Sequence, residues 1–87
     1  MTYRIVAHPG VQKEIEKLYK NDKVRYEHLK RRLKILAGHP EIGKPLRNIL
    51  KGKRRIQIGS FVLIYGIDKN DNKITLFSFE HHDNAYK

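Results

Sequence analysis

Apolar residues recur at helical spacing in the first half of the chain and at strand spacing from Lys53 onward. Tyr3–Ala7 reads as a short strand, after which Pro9 suits the first turn of a helix, where its missing N–H would be unpaired in any case. The apolar residues that follow fall at i, i+4, i+7 and i+8, which predicts a helix with one apolar stripe. These residues are Val11, Ile15, Leu18 and Tyr19.

A second helix is predicted after Asn21 and Asp22, which break the first pattern and offer a cap. Gly38 and Pro40 end this helix. The connection between the helices is so short that they must lie antiparallel and present a joint apolar side to a sheet. The second helix contributes Tyr26, Leu29, Leu33, Leu36 and Ala37 to that side.

The strand part of the chain predicts three strands. The segment from Lys53 to Ile58 alternates, Gly59 and Ser60 form a two-residue hairpin turn, and Phe61–Ile67 is the second strand. After a polar loop, Ile74–Phe79 is the third. We therefore expect an α+β domain of βααβββ order, with a small antiparallel sheet packed against the N-terminal helical hairpin.

The two-residue turn also predicts the register of the hairpin and the direction of its side chains. Ile58 then faces Phe61, Ile56 faces Leu63 and Arg54 faces Tyr65, all on the side that meets the helices. The opposite side carries Lys53, Arg55 and Gln57 in a row, together with Val62 and Ile64. We expect a partner to cover this mixed basic and apolar surface.

Charge and composition narrow the choice of function. The 87 residues suit one small domain, expected over residues 1–87, and carry a net charge of +10. From Ile42 to Ile67 no residue is acidic, so this stretch should attract a polyanion such as nucleic acid. The lack of cysteine excludes disulfides, a zinc–thiolate site and a cysteine nucleophile. No apolar run is long enough for a membrane span, so we expect a cytoplasmic protein with no membrane association.

Several segments, in this order and over nearly the whole chain, resemble the RelE/ParE toxin superfamily of toxin–antitoxin systems. They are Tyr3-Arg4-Ile5, the connector His39–Leu46, the segment Arg55–Gly59 with the following Ile64-Tyr65, and the closing His81–Lys87. Resemblance to the RelE branch implies an endoribonuclease that cuts messenger RNA in the ribosomal A site and is blocked by a cognate acidic antitoxin. It also implies that the reaction uses the neighbouring 2′-hydroxyl and no metal or other cofactor.

Carried over position by position, the resemblance places Lys53 and Arg55 at two basic sheet positions of the catalytic site, and Tyr86 at its late tyrosine. Two usual arginines are replaced here by Val62 and His82. Valine cannot bind phosphate, whereas histidine exchanges protons near neutral pH and could take part in acid–base chemistry. The predicted catalytic residues are therefore Lys53, Arg55, His82 and Tyr86. The residues predicted to bind RNA are Lys44, Arg47, Lys51, Arg54 and His81.

Two other functions remain open from the sequence. A ParE-like toxin that inhibits gyrase by binding needs no nucleolytic residues, and the two missing arginines favour it somewhat. A basic RNA-binding module without toxicity would have the same charge and no effect on growth.

Overall fold

The helices and strands are arranged in βααβββ order, with one additional short strand, in the computed structural model, which describes residues 2–82. The elements are β1 (Arg4–Ala7), α1 (Pro9–Asn21), α2 (Lys23–Gly38), β2 (Lys44–Pro45), β3 (Lys53–Ile58), β4 (Phe61–Asp68) and β5 (Lys73–His81). The predicted fold class and element order are confirmed. The additional strand, β2, has two residues, too few to show a period in the sequence.

Both helices begin where the sequence predicts. Pro9 is the first residue of α1, and the Asp22 carboxylate caps α2 by accepting the N–H of Arg25 at 3.1 Å. Leu29 and Leu36 of α2 are almost completely buried. Tyr19 departs from the predicted stripe: it is 49% exposed and packs edge to face on Tyr26 of the other helix. Over residues 2–82, neither helix is long and apolar enough to cross a lipid bilayer.

The strands form one sheet in the order β1-β5-β4-β3-β2. The β3–β4 and β4–β5 pairs are antiparallel, as predicted, and the additional strand β2 also pairs antiparallel with β3. β1 instead pairs parallel to β5, with Arg4 opposite Lys73, so the sheet is mixed. A parallel pair needs a long crossover connection, and the helical hairpin directly after β1 begins one.

The predicted register of the β3–β4 hairpin is confirmed at every position. Ile58 pairs with Phe61, Ile56 with Leu63 and Arg54 with Tyr65. Gly59 adopts a φ of 61°, a left-handed conformation that glycine tolerates without strain. Ile56, Ile58, Leu63 and Tyr65 join the buried helix residues in one hydrophobic core.

A β-bulge interrupts the pairing of β5 with β4 between Ile64 and Tyr65. Tyr65 pairs with Leu76 and Ile64 with Ser78, so Phe77 is the extra residue. The bulge changes the alternation of β5, because Leu76 and Phe79 both lie in the core. Phe77 is not part of that core.

Candidate functional site

The side of the sheet that faces away from the helices, which we call the open face, carries two of the predicted catalytic cations. Lys53 and Arg55 are two residues apart on β3, so their side chains share this face. Lys44 of β2 lies directly opposite Arg55 and therefore points the same way. The fold thus places Lys44, Lys53 and Arg55 on a common surface.

An aromatic ring lies beside these cations. The Lys53 ammonium is 4.3 Å from the centroid of the Phe77 ring, within the range of a cation–π contact. The ring reaches across β4 at Gly66, where a Cβ would lie only 2.8 Å from Phe77 Cε2. His8 approaches Phe77 edge to face, with ring centroids 5.0 Å apart.

Val62 does not form the exposed apolar surface that the sequence predicts. It lies on the open face, opposite Gln57 of β3 and Glu80 of β5, but it is 0% exposed. A valine at the centre of a sheet is shorter than both of these cross-strand neighbours, so it is easily covered. Ile64, the next residue on this face, is partly exposed.

Arg54 lies on the other side of the sheet from Lys53 and Arg55. Its Nη1 donates to the carbonyl oxygens of Glu41 and Gly43, at 3.2 and 2.8 Å. Arg54 is among the residues predicted to bind RNA, but the fold does not bring it to the open face. Here the guanidinium holds the connector that follows α2.

Tyr65 holds the same connector from the core. Its hydroxyl donates to the carbonyl of Pro40 at 2.6 Å and accepts the N–H of Gly43 at 3.0 Å. Burial raises the pKa of the Tyr65 phenol, although the bond from Gly43 and the charge of Arg54 act in the opposite direction. Lys69 lies 3.1 Å from the Glu41 carboxylate and lowers the pKa of that group.

The other predicted RNA-binding cations lie around the turn between β2 and β3. Arg47 and Lys51 are exposed on either side of the short 3₁₀ turn Asn48–Leu50. Lys51, Lys53 and Phe77 border one cleft on the protein surface. Arg47 does not line that cleft.

His81 and His82, the two histidines predicted to bind or cut RNA, lie in different surroundings at the end of β5. His81 pairs with Phe61, which faces the helices, and the two rings are 5.7 Å apart. His82 follows the strand, is exposed, and donates its backbone N–H to Ser60 at 2.8 Å. Tyr86 lies outside the described residues. Within residues 2–82, no three His, Asp or Glu side chains gather as a possible metal site.

Phe77 is a feature of the open face that was not predicted from the sequence. The sequence does contain a signal for it. Ile74 and Leu76 would share one face of a regular strand, and Phe77 and Phe79 would share the opposite face, so one of these two apolar pairs would point away from the core. The bulge resolves this conflict by burying Phe79 and leaving Phe77 on the open face.

Comparison with known proteins gives consistent matches over nearly the whole chain. The family model for the ParE toxin of the type II toxin–antitoxin system parDE matches residues 5–86. The chain is 34% identical over 86 residues to a Methanocaldococcus jannaschii protein named "Putative toxin RelE4", covering 98% of this chain and 92% of that protein.

Solved structures share the fold. The archaeal RelE–RelB complex from Pyrococcus horikoshii contains a chain with a TM-score of 0.77 and 25% identity, and the match covers 98% of this chain and 100% of that one. A YoeB/ParE toxin from Agrobacterium tumefaciens has a TM-score of 0.82 at 14% identity, over 91% of this chain and 98% of that one. At that identity the second likeness concerns the fold alone.

Proposed function

The chain belongs to the RelE/ParE superfamily, the toxins of type II toxin–antitoxin systems, and on this premise we propose that it stops translation by cutting messenger RNA on the ribosome. One observation carries the proposal. Lys53 and Arg55 stand side by side on the sheet face that the helices leave uncovered, with Lys44 next to them. A row of cations at strand spacing is suited to neighbouring phosphates of a single strand.

The proposed reaction uses the substrate's own 2′-hydroxyl as the nucleophile. Its oxygen forms a bond to the adjacent phosphorus as its proton is removed, and the bond to the 5′-oxygen breaks as that oxygen takes up a proton. Negative charge accumulates on the phosphoryl oxygens between these events. Lys53 and Arg55 neutralise this charge, and the Arg55 guanidinium can contact two oxygens at once.

In this proposal, the residues that transfer protons follow β5 in the sequence. His82 lies just beyond β5 and exposed, and histidine exchanges protons near neutral pH. Tyr86 is the second candidate. An unchanged cleavage rate in His82→Ala would remove His82 from the mechanism.

We further propose that an acidic antitoxin covers the open face. The similar chain from Pyrococcus horikoshii was solved as a complex of RelE with RelB. An acidic segment laid over Lys44, Lys53 and Arg55 would neutralise their charge and block RNA at the same time. Because ribosomes are found in the cytoplasm, a protein that cuts messenger RNA on them would act there.

The test is primer-extension mapping of messenger RNA after the protein is induced in cells. We expect cuts in phase with codons, and a loss of well over tenfold in cutting for Arg55→Ala, because one such charge-stabilising group is worth roughly 3 kcal/mol. Arg31→Ala is the matched control, since it removes the same charge from an exposed position on α2. Full toxicity of Arg55→Ala would mean that the site is elsewhere.

A second candidate is gyrase inhibition, which two observations favour. The matching family model is that of ParE toxins, and Val62 is buried where the RelE resemblance expects an arginine. In this case the transcripts would remain intact while DNA supercoiling fails. Growth without any defect would instead indicate a non-toxic RNA-binding module.

A further inference from the structure

Phe77 occupies an unusual place for a large apolar side chain. A β-bulge turns it onto the open face, away from the hydrophobic core that takes up Leu76 and Phe79. Gly66 of β4, whose partner on β5 is Thr75, has no side chain, and this leaves room for the Phe77 ring to lie across β4. Phe77 is therefore held on the sheet surface without contributing to the core.

A cleft of about 320 Å³ lies beside this ring. Lys51, Lys53 and Lys73 line it, and Thr75 adds a hydroxyl. Its one carboxylate, Asp68, already accepts the backbone N–H of Asp71 at 3.1 Å and so caps the turn after β4. Lys73 Nζ lies 3.7 Å from the Asp71 carboxylate, so the positive charge that the cleft offers to an anion comes chiefly from Lys51 and Lys53. The Phe77 wall is complementary to a flat ring.

From this arrangement we propose that Phe77 is a stacking platform for one base of single-stranded RNA, directly beside the phosphate held by Lys53 and Arg55. The inference rests on the proposed RNA substrate. Stacking on an aromatic ring next to cations is a general way of holding single strands, and it does not depend on which base is present.

Lys53 couples the base site to the phosphate site. In the free protein its ammonium lies over the Phe77 ring, at 4.3 Å from the centroid. When RNA binds, the base takes this place and the flexible lysine moves its charge to the neighbouring phosphate. One side chain thus covers the ring in the absence of RNA and binds the backbone in its presence.

The experiment measures binding of short RNA in which 2′-O-methyl groups prevent cutting. A series of these oligonucleotides lacks the base at one position at a time, and affinity is followed by fluorescence anisotropy. For the wild-type protein we expect the loss of one particular base to weaken binding about tenfold to a hundredfold. In Phe77→Leu this penalty should disappear, and in Phe77→Tyr it should return.

Tyr19→Leu is the matched control, because Tyr19 carries a comparable lysine contact, with Lys23 Nζ at 4.2 Å, but on the helices. Its pattern of penalties should equal that of the wild type. If Phe77→Leu does not fold, Phe77→Met removes the ring with a more adaptable side chain.

The results separate this inference from the proposed function. Equal penalties in the wild type and Phe77→Leu, or no position-specific penalty in the wild type, overturn the stacking site while the primer-extension result stands. A wild-type protein that binds none of the oligonucleotides and cuts no transcript overturns both.

Discussion

Tyr65 shows how one buried polar group fixes the connector between the helices and the strands. Its hydroxyl is bonded to both Pro40 and Gly43, so a polar atom in the core is satisfied twice. Arg54 binds the same connector from beside it, through the carbonyls of Glu41 and Gly43. The connector leads directly into β2, so these contacts also position Lys44 next to Arg55.

Gly43→Ala should destabilise the protein. A Cβ there would lie 2.5 Å from the Tyr65 hydroxyl and 2.7 Å from the backbone oxygen of Arg55. We expect a loss of about 1–3 kcal/mol in the free energy of unfolding, measured with urea. Gly10→Ala is the control: its Cβ would meet nothing within 4 Å, and alanine favours a helix, so a gain of up to about 1 kcal/mol is expected.

Tyr65 should also make the stability sensitive to alkaline pH. Because its folded pKa is raised by burial, the native state keeps the phenol proton at pH values where the unfolded chain, with a pKa of about 10, loses it. The stabilising contribution is thus present below about pH 10 and is lost as the pH rises through the folded value.

Urea unfolding of Tyr65→Phe at a series of pH values tests this expectation. At neutral pH the variant should lose about 1–3 kcal/mol, because the N–H of Gly43 and the carbonyl of Pro40 lose their partner. The difference from the wild type should narrow above pH 10. A difference that stays constant to high pH would contradict the argument.

At the scale of elements, the sequence predicts the helices, strands and strand register that a periodic pattern of apolar residues determines. The hairpin register follows from Ile56, Ile58 and Leu63, since a slip of one residue would put all of them in water. The pairing of β2 could not be predicted in this way, because two residues show no alternation. The bulge at Phe77 could be suspected from conflicting periods, but its position depends on packing across three strands.

The same distinction applies to the candidate site. The positions of Lys53 and Arg55 on the open face follow from strand alternation. His81 lies on the other side because the β-bulge reverses the alternation of β5, which regular pleating could not predict. The adjacency of Lys44 to Arg55 and of Phe77 to Lys53 depends on strand neighbours. No local pattern in the sequence contains that information.

The start of α2 offers a test of an element boundary. Removing the carboxylate cap in Asp22→Ala should lower the free energy of unfolding by about 1 kcal/mol, because the Arg25 N–H loses its acceptor. Asp22→Asn retains a capping oxygen and should stay close to the wild type. Thermal unfolding followed by circular dichroism measures both, and an equal loss in the two variants would point to charge instead of capping.

At the scale of the whole molecule, the net charge of +10 should govern how tightly RNA binds. The affinity for a single strand should fall linearly with salt on logarithmic axes, with a slope of about 0.7 for each phosphate neutralised. Lys53→Met should reduce that slope by about 0.7 if Lys53 contacts a phosphate. Lys13→Met, on the exposed side of α1, should leave the slope unchanged. Equal slopes in all three proteins would remove Lys53 from the phosphate contacts.

The pairing of Arg4 with Lys73 has a consequence for the synthesis of this protein. β1 can reach its place beside β5 only after the ribosome has made the chain through β5, and contacts this distant in sequence form slowly. Phe77 and Lys53 likewise come from strands that are made at different times. The side-by-side arrangement of Lys53 and Phe77 on the open face therefore cannot form before β5 has been made.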